Sequence, residues 1–337
     1  MTTPSSVSVS ESSPPQEPGQ RPAGRWPVRR KKRDRKPRRP PTELPRWARD
    51  PEPVGPVRQA TGTMLTILAA ALIGFAIWTA FGSRLYFDRV QFDDYASFRA
   101  PLANGYAPTG PTDPYNPNRL VALGTPVAIL QIPALQLQDV VLEGTTGQVL
   151  EGGPGHLRDT VLPGQQGVSV ILGRRAAYGG PFAGLGSLAP GDPIDVITQE
   201  GVARYQVLDI RRAGDPLPAP LATGSGRLIL VTADGVPFDP TGEVYVDANL
   251  VGQPFATPAQ VLTSATLPAD ENAMSTDPSA WVPLVLWGQL MLLAAAAVAW
   301  LSRAWGRWQT WLVAVPVLTY LSIMVADQVT RLLPNIM

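Results

Sequence analysis

The 337-residue chain has no cysteine and a single histidine, His156. Without a thiol it forms no disulfide, no thiolate nucleophile and no zinc–thiolate site. The absence leaves the compartment open, because a reduced cytosol and a disulfide-poor bacterial envelope both permit it. Residues 1–62 have almost no aliphatic runs and hold 13 of the 37 prolines. Such a segment buries too little apolar surface to offset its conformational entropy and reads as a disordered tail. No pattern for a cofactor or a metal is visible, and neither is expected.

Charge is lacking in other places. The net charge of +1 hides an asymmetry: residues 1–62 carry 14 of the 28 basic and 6 of the 27 acidic residues, leaving the remainder acidic. The basic charge concentrates in RRKKRDRKPRR, Arg29 to Arg39. Such a cluster can neutralise nucleic-acid phosphates, or hold an N-terminus on the cytoplasmic side and touch anionic lipid. The apolar stretch beginning at Thr63 favours membrane lipid as the partner over nucleic acid.

Thr63–Phe81 and Trp281–Leu301 contain no charge at all. About 20 apolar residues cross a bilayer as a helix, so both are read as spans, over 63–82 and 281–301. The first starts too late for a cleavable signal peptide. A third stretch, Trp311–Ala326, contains Pro316 and runs into Asp327; a helix over 310–329 spans if slightly extended. The basic tail and the loop residues Arg303 and Arg307 place both on the cytoplasmic side and residues 84–280 outside. Trp281, Trp287, Trp300, Trp305, Trp308 and Trp311 lie near span ends, where amphipathic rings collect.

Between the spans, residues 83–122 hold Leu85, Val90, Phe92, Tyr95 and Phe98 at near-helical spacing, then a proline-rich linker. This predicts a juxtamembrane helix that packs on the domain or the lipid surface rather than one that dimerises it. From Val121 onward short apolar runs bounded by Gly, Pro and Asp predict an all-β domain over 123–253. Strands are expected at 127–132, 140–143, 168–172, 194–198, 203–212, 228–232 and 244–251, with helical turns at 147–151 and 181–188. About seven or eight strands suit a closed barrel without edges. Residues 254–280 read as a linker.

VSVILGRRAAYGGPF (Val168–Phe182) and RLILVTADG (Arg227–Gly235) resemble the two catalytic strands of the sortases, membrane-anchored cysteine transpeptidases. PVAILQIPALQLQDVVLEG, GPFAGLGSLAPGDPIDVIT and the intervening segments follow in that family's order, and the paired C-terminal spans resemble actinobacterial, class E-like members. The resemblance implies an eight-stranded barrel and a Cys–His–Arg site. There the cysteine attacks the threonyl–glycyl bond of an LPXTG-type sorting signal, and an amine resolves the acyl-enzyme.

This chain is a degenerate match. Ala233 stands at the cysteine position, and a methyl group has no lone pair to donate. Arg174 stands at the histidine position and does not shuttle protons. The best register puts Glu243 at the arginine position, where a carboxylate repels an oxyanion. Arg174 and Glu243 are expected to form an ion pair across Ala233. Arg175, Thr232 and Asp234 are candidate groove residues, although strand alternation turns Thr232 and Asp234 to the face opposite Ala233. His156 is expected to be structural, bonded to backbone, and Ser169 one of the strand's alternating positions.

Three readings follow: a sortase-like membrane protein without catalysis that binds a sorting-signal peptide, a surface protein or another sortase; a transpeptidase or hydrolase with a rearranged site; and a scaffold whose barrel is only a spacer.

Overall fold

The computed structural model describes residues 55–305 and 307–337. The tail and its Arg29–Arg39 cluster lie outside the described residues. Helix α1 (Pro56–Ile77) begins earlier than Thr63, with proline at its first turn, where the missing N–H is harmless. It continues through a π-helical turn, Trp78–Gly82, into α2 (Ser83–Asn104). The expected span and juxtamembrane helix are therefore one continuous rod. Among the described residues, α1 with α2, α4 (Trp281–Ala304) and α5 (Arg307–Arg331) contain stretches long and apolar enough to cross a membrane. The third is longer than 310–329.

The three apolar helices touch one another, α5 packing against both others. At Gly74 of α1 a Cβ would sit 2.8 Å from Ser322 of α5, so the missing side chain permits the close approach. Trp287 and Tyr320 meet edge to face across α4 and α5, with ring centroids 6.4 Å apart. Met64, Leu68, Leu72, Val282, Leu286 and Leu312 point outward and stay exposed, as lipid-facing residues do.

The β domain is a closed eight-stranded barrel preceded by a small ribbon, β1 (Thr112–Asp113) and β2 (Asn116–Leu120). Its strands are β3 (Pro126–Ile132), β4 (Leu137–Glu143), β5 (Gly155–His156), β6 (Gly167–Leu172), β7 (Pro193–Thr198), β8 (Gly201–Arg212), β9 (Gly226–Val236) and β10 (Asp239–Val251). Around the wall the order is β10-β8-β7-β3-β4-β5-β6-β9, closing on β10. Seven strands match the apolar runs of the sequence. The eighth, β5, is only two residues long and closes the gap between β4 and β6. Strand β8 shows the period-2 logic: Ala203, Tyr205 and Val207 enter the core, while Val202, Arg204 and Gln206 face out.

A short helix, α3 (Gly147–Gly152), follows β4, its first turn capped by the Thr146 hydroxyl. The helical turn expected over 181–188 contracts to a 3₁₀ turn at Leu185–Ser187. The 254–280 stretch is fastened rather than free. Phe255 exchanges backbone hydrogen bonds with Gly164 and Gln166, and the buried Glu271 carboxylate pairs with Arg158.

Helix α2 is joined to the barrel by one side chain above all. Gln91 donates to the carbonyls of Val140 (3.1 Å) and Gly152 (2.8 Å) and accepts from the Val140 N–H (2.6 Å). Phe87 and Phe98 bury on either side of it, leaving Leu85, Phe92 and Tyr95 exposed. Gln91→Leu keeps the bulk but orphans a buried backbone donor, at about 1–3 kcal/mol. We expect the full chain's denaturant midpoint to fall accordingly, and an unchanged midpoint would contradict this role.

Candidate functional site

Ala233 lies on β9 directly across from Glu243 of β10, the two being Cα partners in the antiparallel ladder. On its other side β9 runs parallel to β6, where Leu172 pairs with Val231 and the Gly173 N–H donates to the Val231 carbonyl. The chain thus leaves the barrel wall at Gly173, level with Thr232 and one residue short of Ala233. Alternation sends Leu228 and Leu230 into the barrel core. Ile229, Val231 and Ala233 join a second apolar cluster with Leu150 of α3 and Leu172. The Ala233 methyl is completely buried.

The loop after β6 is bent sharply. At Gly173 a Cβ would meet the Phe182 ring at 2.4 Å. Tyr178 (φ 49°), Gly179 (78°) and Gly180 (54°) all adopt the left-handed region, which for a bulky aromatic costs about 1–2 kcal/mol. Contacts to the helices hold it there. The Tyr178 N–H donates to Ser83 Oγ (3.3 Å), its hydroxyl donates to Asp327 Oδ1 (2.9 Å), and its ring meets Tyr86 edge-on.

This bend carries Arg174 inward. Its guanidinium is 1% exposed, lies 4.9 Å from the Tyr178 ring centroid, and donates from Nη2 to the Gly147 carbonyl at 2.8 Å. Among the described residues Nε and Nη1 find no acceptor. Burial lowers its pKa, and the strongest opposing influence is Glu151 of α3. Glu151 is itself buried, with Oε1 3.3 Å from Arg331 Nε, and Arg331 Nη2 is 3.5 Å from Asp327. Burial pushes the Glu151 carboxyl up to about 7 despite Arg174 and Arg331, with Asp327 and Asp277 adding to the rise.

The expected Arg174–Glu243 ion pair is not formed. Arg174 sits past the end of its strand, turned toward α3, whereas Glu243 stays on β10. There its carboxylate accepts from the hydroxyl of Tyr245, two residues on and on the same face. Burial, then Glu243, pushes the Tyr245 hydroxyl up to about 12, so it remains a donor. Arg211 stacks 4.3 Å over the Tyr245 ring and pairs with buried Asp247 at 2.5 Å. The other candidates divide. Arg175 is at the site, its Nη1 donating to the Ala233 carbonyl at 2.9 Å. Thr232 and Asp234 are engaged elsewhere: the Thr232 hydroxyl donates to Gly173 O (2.9 Å), and Asp234 pairs with Arg212 (3.3 Å). Ser169 is buried, and its Oγ finds no partner among the described residues.

What fills the space beside Ala233 comes from the far end of the chain. After α5, Leu333-Pro334-Asn335-Ile336-Met337 turns back to the barrel. Ile336 and Met337 are fully buried, packed in the cluster of Leu150, Leu172, Val231 and Ala233. The Arg175 N–H donates to Ile336 O (3.0 Å) and the Ala177 N–H to Met337 O (3.2 Å). On its other side the segment donates from Asn335 N–H to Ser275 O (2.8 Å) and from Ile336 N–H to Ala273 O (3.4 Å). The Asn335 amide nitrogen reaches the carbonyls of Thr145, Asp270 and Asn272. Sequence reasoning missed this segment because it follows a membrane span. A readable signal was present, since Leu-Pro-Asn-Ile begins like an LPXTG-type motif with isoleucine in place of threonine.

His156 is buried in β5. Nδ1 lies 3.0 Å from Glu143 Oε2, and Nε2 lies 2.9 Å from the Val161 carbonyl and 3.2 Å from the Thr160 hydroxyl. A carboxylate, an imidazole and a hydroxyl in line suggest a nucleophile–base pair, but the protons point elsewhere. With acceptors on both nitrogens the ring is a double donor, and the Thr160 hydroxyl donates to Leu157 O at 2.6 Å. Burial alone depresses the His156 pKa. Glu143, the Val161 carbonyl and Asp159 outweigh it and leave it raised. The adjoining pocket, about 10 Å³, is too small for a peptide.

Residues 130–251 match the family model of the sortase domain. The matching part is the barrel that carries the Gly173–Arg175 loop and, at its rim, Ala233, and it contains no cysteine. The chain is similar to Sortase D of Bacillus subtilis, 31% identical over 85 residues. These make up 25% of this chain and 41% of that protein, so the match spans about two fifths of the relative's length. Among solved structures it is similar to a Clostridium perfringens Sortase D5 transpeptidase (20% identity, TM-score 0.40, 49% of this chain and 99% of that one). A Clostridium perfringens sortase C with a C-terminal cell wall sorting motif is also similar (18%, TM-score 0.37, 49% and 89%).

The buried acids set a pH dependence. Glu151, and Asp139, which burial and then Asp88 push up to about 6, hold protons in the folded state at pH values where the unfolded chain has released them. His156, with its raised pKa, does the same at higher pH. The folded state binds the extra protons, so stability falls as pH rises from about 4.5 through 7. The full chain should melt at a higher temperature near pH 5 than near pH 8. Glu151→Gln should flatten the part of that slope below about pH 7, and an unchanged slope would exclude Glu151 as its source.

Proposed function

We propose that the chain is a membrane-anchored sortase-like protein that carries out no transpeptidation and uses the groove beside Ala233 to hold an extended peptide, either a sorting signal or a segment of a surface protein. One observation carries the reading. The position that faces the groove from β9 is a buried methyl, paired with Glu243 and covered by Arg175 and apolar side chains. No nucleophile is presented there, and the carboxylate across the ladder opposes an oxyanion. The loop amides of Arg175 and Ala177 offer the backbone donors that strand addition uses.

The barrel lies on the outer side of the cytoplasmic membrane, with the basic tail and the 302–309 loop inside, by the distribution of Lys and Arg. The Arg29–Arg39 cluster meets anionic lipid at the inner surface.

The full chain in nanodiscs, incubated with an LPXTG-type peptide and an amine, is expected to yield neither hydrolysis nor transfer product by mass spectrometry. Cleavage at the threonyl–glycyl bond would overturn the reading. The cysteine-free background makes the orientation equally testable. In intact cells a membrane-impermeant maleimide should label Ser187→Cys on the barrel surface and leave Ser6→Cys in the tail unlabelled. The reverse pattern would invert the topology.

A further inference from the structure

We propose that residues 333–337, Leu-Pro-Asn-Ile-Met, are an internal ligand of the barrel: they occupy the peptide groove, and an external peptide of the Leu-Pro-x-β-branched kind binds when they leave it. The inference rests on the reading of that groove as a peptide site, and it names the site's resident occupant.

The barrel does not need this segment to close. All eight strands lie between Pro126 and Val251, and the wall is continuous through β6, β9 and β10. Residues 333–337 are added outside that wall, between the 175–177 loop and the 270–277 stretch. They bond to both, and the segment is itself folded into a tight turn closed by the Met337 N–H, which donates to the Pro334 carbonyl at 2.9 Å. Backbone carbonyls of Ile336 and Met337 accept from one side, and backbone amides of Asn335 and Ile336 donate to the other. The side chains are sorted as in a recognised peptide. Asn335 is buried and held by three carbonyls from separate elements, which fixes the register. Ile336 and Met337 enter the apolar cluster beside Ala233.

Residue identities agree with the geometry. Pro334 restricts its own φ and cannot continue the helix, so the chain leaves α5 here and turns back toward the groove. Gly147 gives the segment room, since a Cβ there would stand 3.0 Å from Asn335 Oδ1. Isoleucine at 336 has the branched shape of threonine without its hydroxyl. The occupant therefore fits by shape and backbone. Arg331, two residues before Leu333, pairs with Glu151 beside the barrel and Asp327 of α5, so release of the segment is tied to the end of the third membrane helix.

An intramolecular occupant lowers the apparent affinity for a competitor by the fraction of molecules that are open. The test uses the full chain in nanodiscs, the same chain without residues 333–337, and Ile336→Asp. The probe is a dye-labelled Leu-Pro-Asn-Ile-Met peptide read by fluorescence anisotropy. Removal of the segment or the buried charge should tighten probe binding by about tenfold or more. Either folded variant binding no better than the unaltered chain would overturn the proposal.

Should both variants unfold, hydrogen exchange on the unaltered chain decides. Residues 333–337 and the Arg175 and Ala177 amides should be protected without peptide, and peptide in large excess should release 333–337 while the barrel strands stay protected. Fast exchange of 333–337 without peptide, or no response to it, would overturn the proposal. Mass spectrometry of the same samples separates the two readings. Cleavage of the probe defeats the non-catalytic function and leaves the occupancy standing, whereas probe binding that is equally tight in the unaltered chain and in both variants defeats the occupancy and leaves the peptide site standing.

Discussion

A guanidinium withdrawn from water must be matched by charge and acceptors close by, and Arg174 is withdrawn almost completely. The surrounding architecture meets that requirement in part: the Gly147 carbonyl accepts from Nη2, while Nε and Nη1 find no acceptor among the described residues. Glu151 of α3 exerts the strongest opposing influence on it, Arg331 of α5 approaches Glu151, and Asp327 approaches Arg331 and accepts from Tyr178. Four ionisable groups of alternating sign thus run from the rim of the barrel into the last membrane helix. The loop carrying Arg174, the short helix beneath it and the end of α5 are held as one assembly.

The same constraint determines what happens beside Ala233. With Arg331 pinned against Glu151, the residues that follow emerge next to the groove, and the strained turn at Tyr178 sets the Arg175 and Ala177 amides to meet them. Arg174 and the residues that fill the space beside Ala233 are therefore linked mechanically. The non-catalytic reading gains coherence from that link. Ala233 carries no nucleophilic group, Glu243 is bound to Tyr245, and Arg174 is turned into a buried charge set.

Much of the barrel was legible in the chain because β order is written in alternation and in short apolar runs. Ala203–Val207 buries alternate residues, whereas Val127–Leu130 and Leu230–Ala233 are buried continuously as short apolar runs; lining GEVYVDANLV up with the family's arginine position picks Glu243, which the ladder pairs with Ala233. Strand β5 was not legible, since two residues carry no period. The Arg174–Glu243 pair failed for a related reason. Register places backbones, whereas the direction of Arg174 depends on three consecutive left-handed residues after it and on a carboxylate 23 positions before it in sequence, Glu151. The continuity of α1 into α2 was hidden because Arg84, Asp88 and Arg89 interrupt hydrophobicity without interrupting the helix.

The segment at 333–337 was hidden differently, since local pattern has nothing to say about a contact across more than a hundred residues. Its energetics indicate why it differs from a core strand. Ordering five residues costs about 5–10 kcal/mol. Burying Ile336 and Met337 returns about 3–6 kcal/mol, and half a dozen hydrogen bonds at about 1 kcal/mol each return a similar amount. The balance lies within a few kcal/mol of zero, far from the cooperative stability of the closed wall behind it. A segment bound that weakly in its own right, yet placed by the Glu151–Arg331 contact at the mouth of a groove, has the properties of a resident ligand. It is close enough to occupy the site most of the time and loosely enough held for a matching peptide to replace it.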